Sequence, residues 1–590
     1  MKQLNRIRKI AYGLAGLTVV TLLVIVVRFL IRPLALLILV IASLLALLVL
    51  RVARRDIPRR TVLEIDLDKG IVEKVPTEPI GRALASGAVT LRDVVEALDR
   101  GAGDARVVGA VARVGGGDIG LAQAQELRDA VRRFSDAGKR TIVYAETFGE
   151  GGLATIPYYL ATAFDEIHLQ PNGELNIGGL ISRNPFFKQF LEKFGIGADL
   201  DHRREYKAAM YLLTEDHYTE PHAEATLAVM DSQLEDIVTG IAEARDLRPE
   251  RVRALIDQAP LLPDQALEAG LVDQLSYRDE AYEAAKGEEG GRLIYFDKYL
   301  KRAGRPHRRG ASVALIYGVG SIQRGSPRFD PLTRGSSMGS DAVADAFRKA
   351  IDSNAVKAIV FRVDSPGGSA VASEVVRRET IRAKEAGKPV VVSMGDVAGS
   401  GGYWVSAAAD RIVSQPGTIT GSIGVVYGKL VTRSAWGRLG VSWDEVHLGE
   451  NATFSSPDRR YTAAERERFD AYLDAVYDDF KARVSEGRIL DLEVVEEVAK
   501  GRIWSGRDAH RLGLVDELGG LERAVALAKE LVEIPVDQTV KLTVFPRPKT
   551  LPLPERRESS EAAELVRALV DLARSSQMAR VVHVPTEVGK

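Results

Sequence analysis

No cysteine occurs anywhere in the chain, which excludes disulfides, thiolate metal sites and a cysteine nucleophile. Histidine is scarce: there are eight, none in an H-x-x-x-H ligand spacing, so no metal pair stands out. His217 and His222, five apart, read as surface residues. An excess of charge of one sign is also missing. With 80 Lys plus Arg against 81 Asp plus Glu, nothing points to a nucleic-acid partner. What the chain does have is length: 590 residues exceed one core, so two or more domains are expected.

Two long apolar runs stand at the start, Ile10–Val27 and Leu34–Leu50, separated by Arg28, Arg32 and Pro33. At about 1.5 Å per residue each barely crosses a hydrocarbon layer of roughly 30 Å. A cleaved signal peptide fits poorly, because a second run follows at once and no small-residue cleavage pattern separates the two. Residues 1–60 are therefore expected to form a membrane anchor of one or two transmembrane helices, with lipid as a partner. A hairpin would leave both basic flanks, Lys2 to Lys9 and Arg51 to Arg60, in the cytoplasm together with the bulk of the chain. A single span would place that bulk outside.

From about Arg60 onward the sequence is written twice. The stretch Arg106-Val107-Val108-Gly109-Ala110-Val111-Ala112-Arg113 answers Ala355-Val356-Lys357-Ala358-Ile359-Val360-Phe361-Arg362, and Ala266 to Asp273 answers Ala509 to Asp516. The offset drifts only from 249 at Lys139/Lys388 to 243 at Asp273/Asp516, as in a duplication. Strand and helix patterns alternate in both copies, which predicts α/β domains with largely parallel sheets. The expected limits are 61–290 and 312–535, with a linker at 291–311 and a tail at 536–590. A long helix is expected late in each copy, from Glu220 and from Thr462, in a packing or oligomerising role. Arg324 to Ser340 reads as a loop, and Ser559 to Leu572 as an amphipathic pattern in the tail.

The copies differ where chemistry would sit. In the second, the apolar strand pattern from Lys388 to Met394 runs into Gly395-Asp396-Val397-Ala398-Gly399-Ser400-Gly401-Gly402-Tyr403-Trp404 and then an apolar helix pattern. A serine at a glycine-lined strand-to-helix turn suits a nucleophile, because glycine lets the chain turn sharply and amides at a helix start stabilise negative charge. A plain serine N-cap explains the turn equally well. The first copy has Glu150 at the matching place. A second glycine turn, Asp364-Ser365-Pro366-Gly367-Gly368-Ser369, suggests an oxyanion hole from the N–H of Gly367 or Gly368 and the N–H of Gly401. A base is harder to find. Within fifty residues after Ser400 the only histidine is His447, in an isolated Glu445-Val446-His447-Leu448 strand pattern. A lysine serves if burial keeps it neutral, and the first copy offers Lys207. Taken alone, Lys207 reads as a solvated surface charge.

Together, Val363 to Ser369, Ser393 to Trp404, Thr420-Gly421-Ser422-Ile423-Gly424 and Tyr206-Lys207 resemble the signal peptide peptidase A (protease IV) family in its long duplicated bacterial form, over essentially all of residues 60 to 535. The resemblance implies tandem crotonase/Clp-protease-like α/β domains behind an N-terminal transmembrane segment. It implies a Ser/Lys dyad with Ser400 as nucleophile and Lys207 as general base, Ser422 orienting the lysine, and no cofactor or metal. It also implies a homotetramer that cleaves remnant signal peptides and other apolar peptides at the bacterial inner membrane. The family's usual periplasmic placement is weighed against the cytoplasmic one suggested by the charge flanks. A crotonase-like acyl-thioester enzyme and a non-catalytic membrane scaffold are the alternatives.

Overall fold

The computed structural model describes residues 2–28, 43, 57–75, 89–116, 118–330 and 335–546, in two units divided after Pro58. In the first unit, helix α1 (Lys2–Val26) carries most of the first apolar run. Every residue from Gly13 to Arg28 is exposed, Leu14, Leu17, Val20 and Leu23 among them. Among the described residues no helix is long and apolar enough to cross a membrane. The second run, Leu34–Leu50, lies outside the described residues apart from Ser43, as do the tail pattern Ser559–Leu572 and residues 331–334.

In the second unit the short runs rich in Val, Ile and Ala are buried strands, as expected where helices cover both faces of a parallel sheet. The first copy contributes β1 (Thr61–Asp66), β2 (Val107–Arg113), β3 (Arg140–Ala145), β4 (Glu166–Leu169), β5 (Gln274–Leu275) and β6 (Arg292–Tyr295). They lie in the order β5-β4-β3-β2-β1-β6, every neighbouring pair parallel. The second copy contributes β7 (Ala311–Val319), β8 (Val356–Ser365), β9 (Val390–Gly399), β10 (Arg411–Ser414), β11 (Glu517–Leu518) and β12 (Val540–Phe545). Their order, β11-β10-β9-β8-β7-β12, repeats that of the first sheet, again all parallel. In the second copy Ile419–Gly421 also pairs with the end of β9 and, antiparallel, with Ile503–Ser505. The first copy has only single bridges, Phe148 to Leu175 and Leu175 to Leu261, at those places.

The duplication extends to individual side chains. Lys139 donates to the carbonyl of Asp104 at 3.3 Å, and Lys388 to that of Ser353, its counterpart, at 2.8 Å. Asp273 accepts the Ile167 amide and pairs with Arg245; Asp516 accepts the Ile412 amide and pairs with Arg488. Tyr158 donates to the Leu271 carbonyl, and Tyr403 to that of Leu514. The two tyrosine hydroxyls are buried groups that these contacts satisfy.

Both outer strands fall beyond the expected domain ends. Arg292–Tyr295, expected in the linker, is β6, and Val540–Phe545, expected in the tail, is β12. Between the sheets runs helix Phe296–Ala303, whose Tyr299 donates to Asp104 at 3.0 Å. Glu445–Leu448 is no strand: it is exposed loop, with Val446 fully exposed, because its alternation has no neighbouring strand to pair with. The Arg324–Ser340 region holds two small pairings, Ile322–Gln323 with Met338–Gly339 and Phe329–Asp330 with Gly335–Ser336.

The copies are locked together by buried charge. Arg362 on β8, 1% exposed, donates twice to Glu73 at 2.9 Å, lies 3.0 Å from Glu126 and reaches Ser393 at 2.8 Å. Asp396 accepts the amides of Ala122 and Gln123, at 2.9 and 3.2 Å, where helix α2 (Leu121–Asp136) of the first copy begins. A carboxylate at a helix N-terminus is held by its free amides and its dipole. Burial pushes the Asp396 carboxyl up from its ordinary value, and its neighbours Asp364 and Glu73 add to the rise. Removing the one cation leaves Glu73 and Glu126 buried without compensation. Arg362→Ala should therefore lose about 3–5 kcal/mol of stability in a urea titration; an unchanged midpoint would show that the cluster does not bind the copies together.

Candidate active site

Strand β9 ends at Gly399, and helix α3 (Gly401–Ser406) begins two residues later. Between them Ser400 adopts φ 54° and ψ −119°, a conformation that costs a residue with a side chain on the order of 1–3 kcal/mol. The turn is held by the Ser400 amide, which donates to the Gly421 carbonyl at 2.8 Å. Tyr403 and Trp404 donate back to the Ser400 carbonyl. The flanking glycines are required by close approach: a Cβ on Gly402 would lie 2.5 Å from the Ser365 carbonyl oxygen, and one on Gly401 2.7 Å from Ser373 Oγ.

Lys207 comes from the first copy, in the loop that follows strand Gly197–His202. Its side chain crosses to the second copy, and the residue is 3% exposed. Its Nζ lies 3.1 Å from Ser400 Oγ, 2.8 Å from the Ser422 carbonyl oxygen and 2.9 Å from Ser422 Oγ. Burial alone pushes its amine down to about 7, with no neighbouring carboxylate to restore the charge. The Ser422 carbonyl can only accept, so it fixes one N–H of the amine. With a second N–H on Ser422 Oγ, the lone pair of the neutral amine faces the Ser400 hydroxyl. Ser422 itself sits at φ 50°, its amide donating to the Arg502 carbonyl at 2.7 Å.

The second glycine turn lies beside Ser400. A Cβ on Gly367 would be 2.7 Å from Ser400 Cβ, and one on Gly401 3.1 Å from the Gly368 nitrogen. Of the three expected oxyanion donors, the Gly367 amide already donates to Ser365 Oγ, at 3.2 Å. That leaves Gly368 as the second donor to set beside Gly401. Gly368, at φ 151°, also leaves no room for a side chain, since a Cβ there would lie 2.2 Å from the Ile322 carbonyl oxygen.

One further residue of the site carries no local signal in the sequence. Gly501, at φ 78°, braces the lysine: a Cβ there would lie 2.6 Å from the Lys207 nitrogen. Gly424 does the same against Lys207 Cδ at 3.1 Å. Neither the glycine-rich motifs nor the periodicity marks Gly501. His447 stands in an exposed loop, away from any role as base. His222, expected at the surface, is half-buried against Tyr218, ring centres 4.5 Å apart, and burial pushes its imidazole down. Glu150, expected at the place of Ser400, is exposed and four residues short of it: Ala154 holds that place in the first copy, its amide donating to the Asn176 carbonyl at 2.9 Å as that of Ser400 does to Gly421. Among the described residues no group of three or more carboxylates and histidines could hold a metal ion.

A model described as Peptidase family S49 matches residues 133–291, which include Lys207, and 382–535, which include Ser400. The chain belongs to peptidase family S49. It is similar to Protease 4 of Haemophilus influenzae, 34% identical over 76% of this chain and 74% of the relative. Protease 4 of Salmonella typhi is 31% identical over 80% and 79%, and the chloroplastic serine protease SPPA of Arabidopsis thaliana 30% identical over 79% and 69%. Over 31% of this chain it also resembles the putative signal peptide peptidase SppA of Enterococcus faecium, at 34% identity. This S49 chain is a serine peptidase, with the duplicated α/β organisation written in its sequence.

The buried amine has a thermodynamic consequence. Its folded-state value lies below the unfolded one, so the stability it permits is present above about pH 10.5 and is lost as pH falls through that range to about 7. Lys207→Met removes the penalty. Its stability relative to wild type should rise by on the order of 4 kcal/mol between pH 10 and pH 7, measured by denaturant titration; a difference that stays constant over that range would show that the amine is not desolvated.

Proposed function

We propose that this S49 chain hydrolyses peptide bonds through an acyl-enzyme, with the nucleophile supplied by one copy and the base by the other. The observation that carries the reading is the 3.1 Å contact between a buried amine and a strained serine hydroxyl. Neutral Lys207 takes the Ser400 proton as Oγ attacks the carbonyl carbon. The oxygen that becomes negative is held by the Gly368 and Gly401 amides, preorganised in a dry site. As the tetrahedral intermediate collapses, the ammonium of Lys207 gives its proton to the departing amine. Neutral again, it activates the water that releases the acyl group. Ser422 keeps the lone pair aimed at Ser400 throughout. An acyl-thioester enzyme would need the amide pair but not a lysine against a serine.

For substrates we infer apolar peptides, remnant signal peptides among them, a reading supported by the name of the Enterococcus relative. We also read the repeated parallel sheets as crotonase/Clp-protease-like and the working form as a homotetramer. Attachment to lipid at the bacterial inner membrane is supported by α1, whose residues from Gly13 onward are exposed, Leu14, Leu17, Val20 and Leu23 among them; we place the peptidase outside that membrane by the resemblance to the protease IV family.

Ser400→Ala and Lys207→Ala should each lower kcat on a fluorogenic apolar peptide by at least about 10³-fold, with melting behaviour preserved. In the wild type, kcat/KM should rise with pH through about 7, falling about tenfold per unit below it, because only the neutral amine accepts a proton. Full activity in Lys207→Ala would remove the lysine from the mechanism.

A further inference from the structure

We propose that Arg502 is a positioning residue for Lys207: with Glu224 and Tyr206 it forms a clamp across the two copies that holds the lysine loop closed over Ser400. The proposal rests on the reading of Lys207 as the base. Arg502 Nη1 donates to Glu224 at 2.8 Å, and Tyr206 Oη donates to the other oxygen of the same carboxylate at 2.7 Å. The guanidinium lies over the Tyr206 ring at 4.8 Å and the Trp504 ring at 4.7 Å. Glu224 and Tyr206 belong to the first copy, Arg502 and Trp504 to the second, so four side chains from both copies close one contact.

The backbone on either side of this contact reaches both working residues. The Lys500 carbonyl accepts the Tyr206 amide at 3.1 Å, and Gly501 packs against the Lys207 backbone. The Arg502 carbonyl accepts the Ser422 amide at 2.7 Å. A shift of Lys500–Arg502 therefore moves the base and the group that orients it together.

The clamp also keeps the amine dry. Among the described residues only Ser400 and Ser422 make polar contacts with it. The remaining charges on the packed elements are engaged elsewhere or stand in water. Arg203 pairs with Asp470 and Asp474, Arg204 and Lys481 pair with Glu496, and Glu205 is exposed. Tyr206 and Arg502 hold the Glu224 carboxyl below its ordinary value, so it stays charged in the range where the enzyme would work. A partly exposed ion pair contributes little to overall stability. Its effect is local: opening the loop admits water to an amine that burial alone keeps neutral.

The test uses full-length protein carrying Arg502→Ala, Arg502→Lys or Glu224→Gln. Two quantities are read: the pH dependence of kcat and KM on the fluorogenic peptide, and the titration of the Lys207 amine itself, from the pH dependence of its acetylation followed by peptide mass spectrometry. Arg502→Ala should move the amine's titration upward by about one pH unit or more and carry the acidic limb of kcat/KM with it. At pH 7 kcat should fall about tenfold and recover by pH 9, with KM nearly unchanged; Arg502→Lys should fall between Arg502→Ala and wild type. Should Arg502→Ala fail to fold, Glu224→Gln, at an exposed carboxylate, should show the same shift at smaller size. A Lys207 titration identical to wild type in the variants, whatever activity they lose, overturns the proposal. Failure of the base reading looks different: the amine's titration still moves with Arg502, while the acidic limb of kcat/KM follows it in no protein, wild type included.

Discussion

The chemistry proposed for this molecule depends on burying one lysine amine without giving it a carboxylate. An exposed lysine is protonated at neutral pH and has no lone pair to offer; one beside an acid is protonated more firmly still. The amine of Lys207 avoids both, reaching only two serines and a carbonyl. Burial of this kind cannot be supplied by the loop that carries the lysine. It needs a wall on the far side, which the second copy provides through Ser422, Gly424 and Gly501.

That requirement gives the duplication its physical sense. Both copies keep the same sheet order and the same side-chain contacts, from the Lys139 and Lys388 caps to the Tyr158 and Tyr403 hydroxyls. They part at the turn after the third strand, where Ala154 of one copy stands in the place of Ser400 of the other: each precedes the next helix and donates its amide across the turn, to Asn176 or to Gly421. The first copy is thus a complete fold that, in the proposed mechanism, contributes the lysine loop and no nucleophile. The Arg362 cluster and the Asp396 contact to α2 fix how the two halves sit, and Asp396 stands only four residues before Ser400. Strain at Ser400 is tolerable because the turn is tied down on both sides.

Much of this was legible in the sequence, for reasons that differ by residue. Repeated strand patterns gave the α/β copies because period and burial are local properties. Ser400 and its glycines were legible because close approach of backbone leaves only glycine able to fit, as the short Cβ distances at Gly368, Gly401 and Gly402 show. Lys207 was not readable by itself: nothing in Arg204-Glu205-Tyr206-Lys207 says that the other copy will cover it, and only the resemblance to a family singled it out. The choice of Gly368 over Gly367 turns on one bond from Ser365, and the parts played by Gly501, Arg502 and Arg362 on contacts hundreds of residues away. The domain ends were set too early because each sheet is closed by a short strand, Arg292–Tyr295 or Val540–Phe545, that follows its helices.

The central claim is that a lysine of one copy activates a serine of the other. The most direct test follows covalent labelling of Ser400 by a fluorophosphonate as a function of pH, in full-length wild type and in Lys207→Ala. The account predicts that the wild-type rate rises through about pH 7 and that the variant is labelled at least about a hundredfold more slowly, with no such rise. Labelling of Ser400 in Lys207→Ala at the wild-type rate, with the wild-type pH dependence, would contradict it.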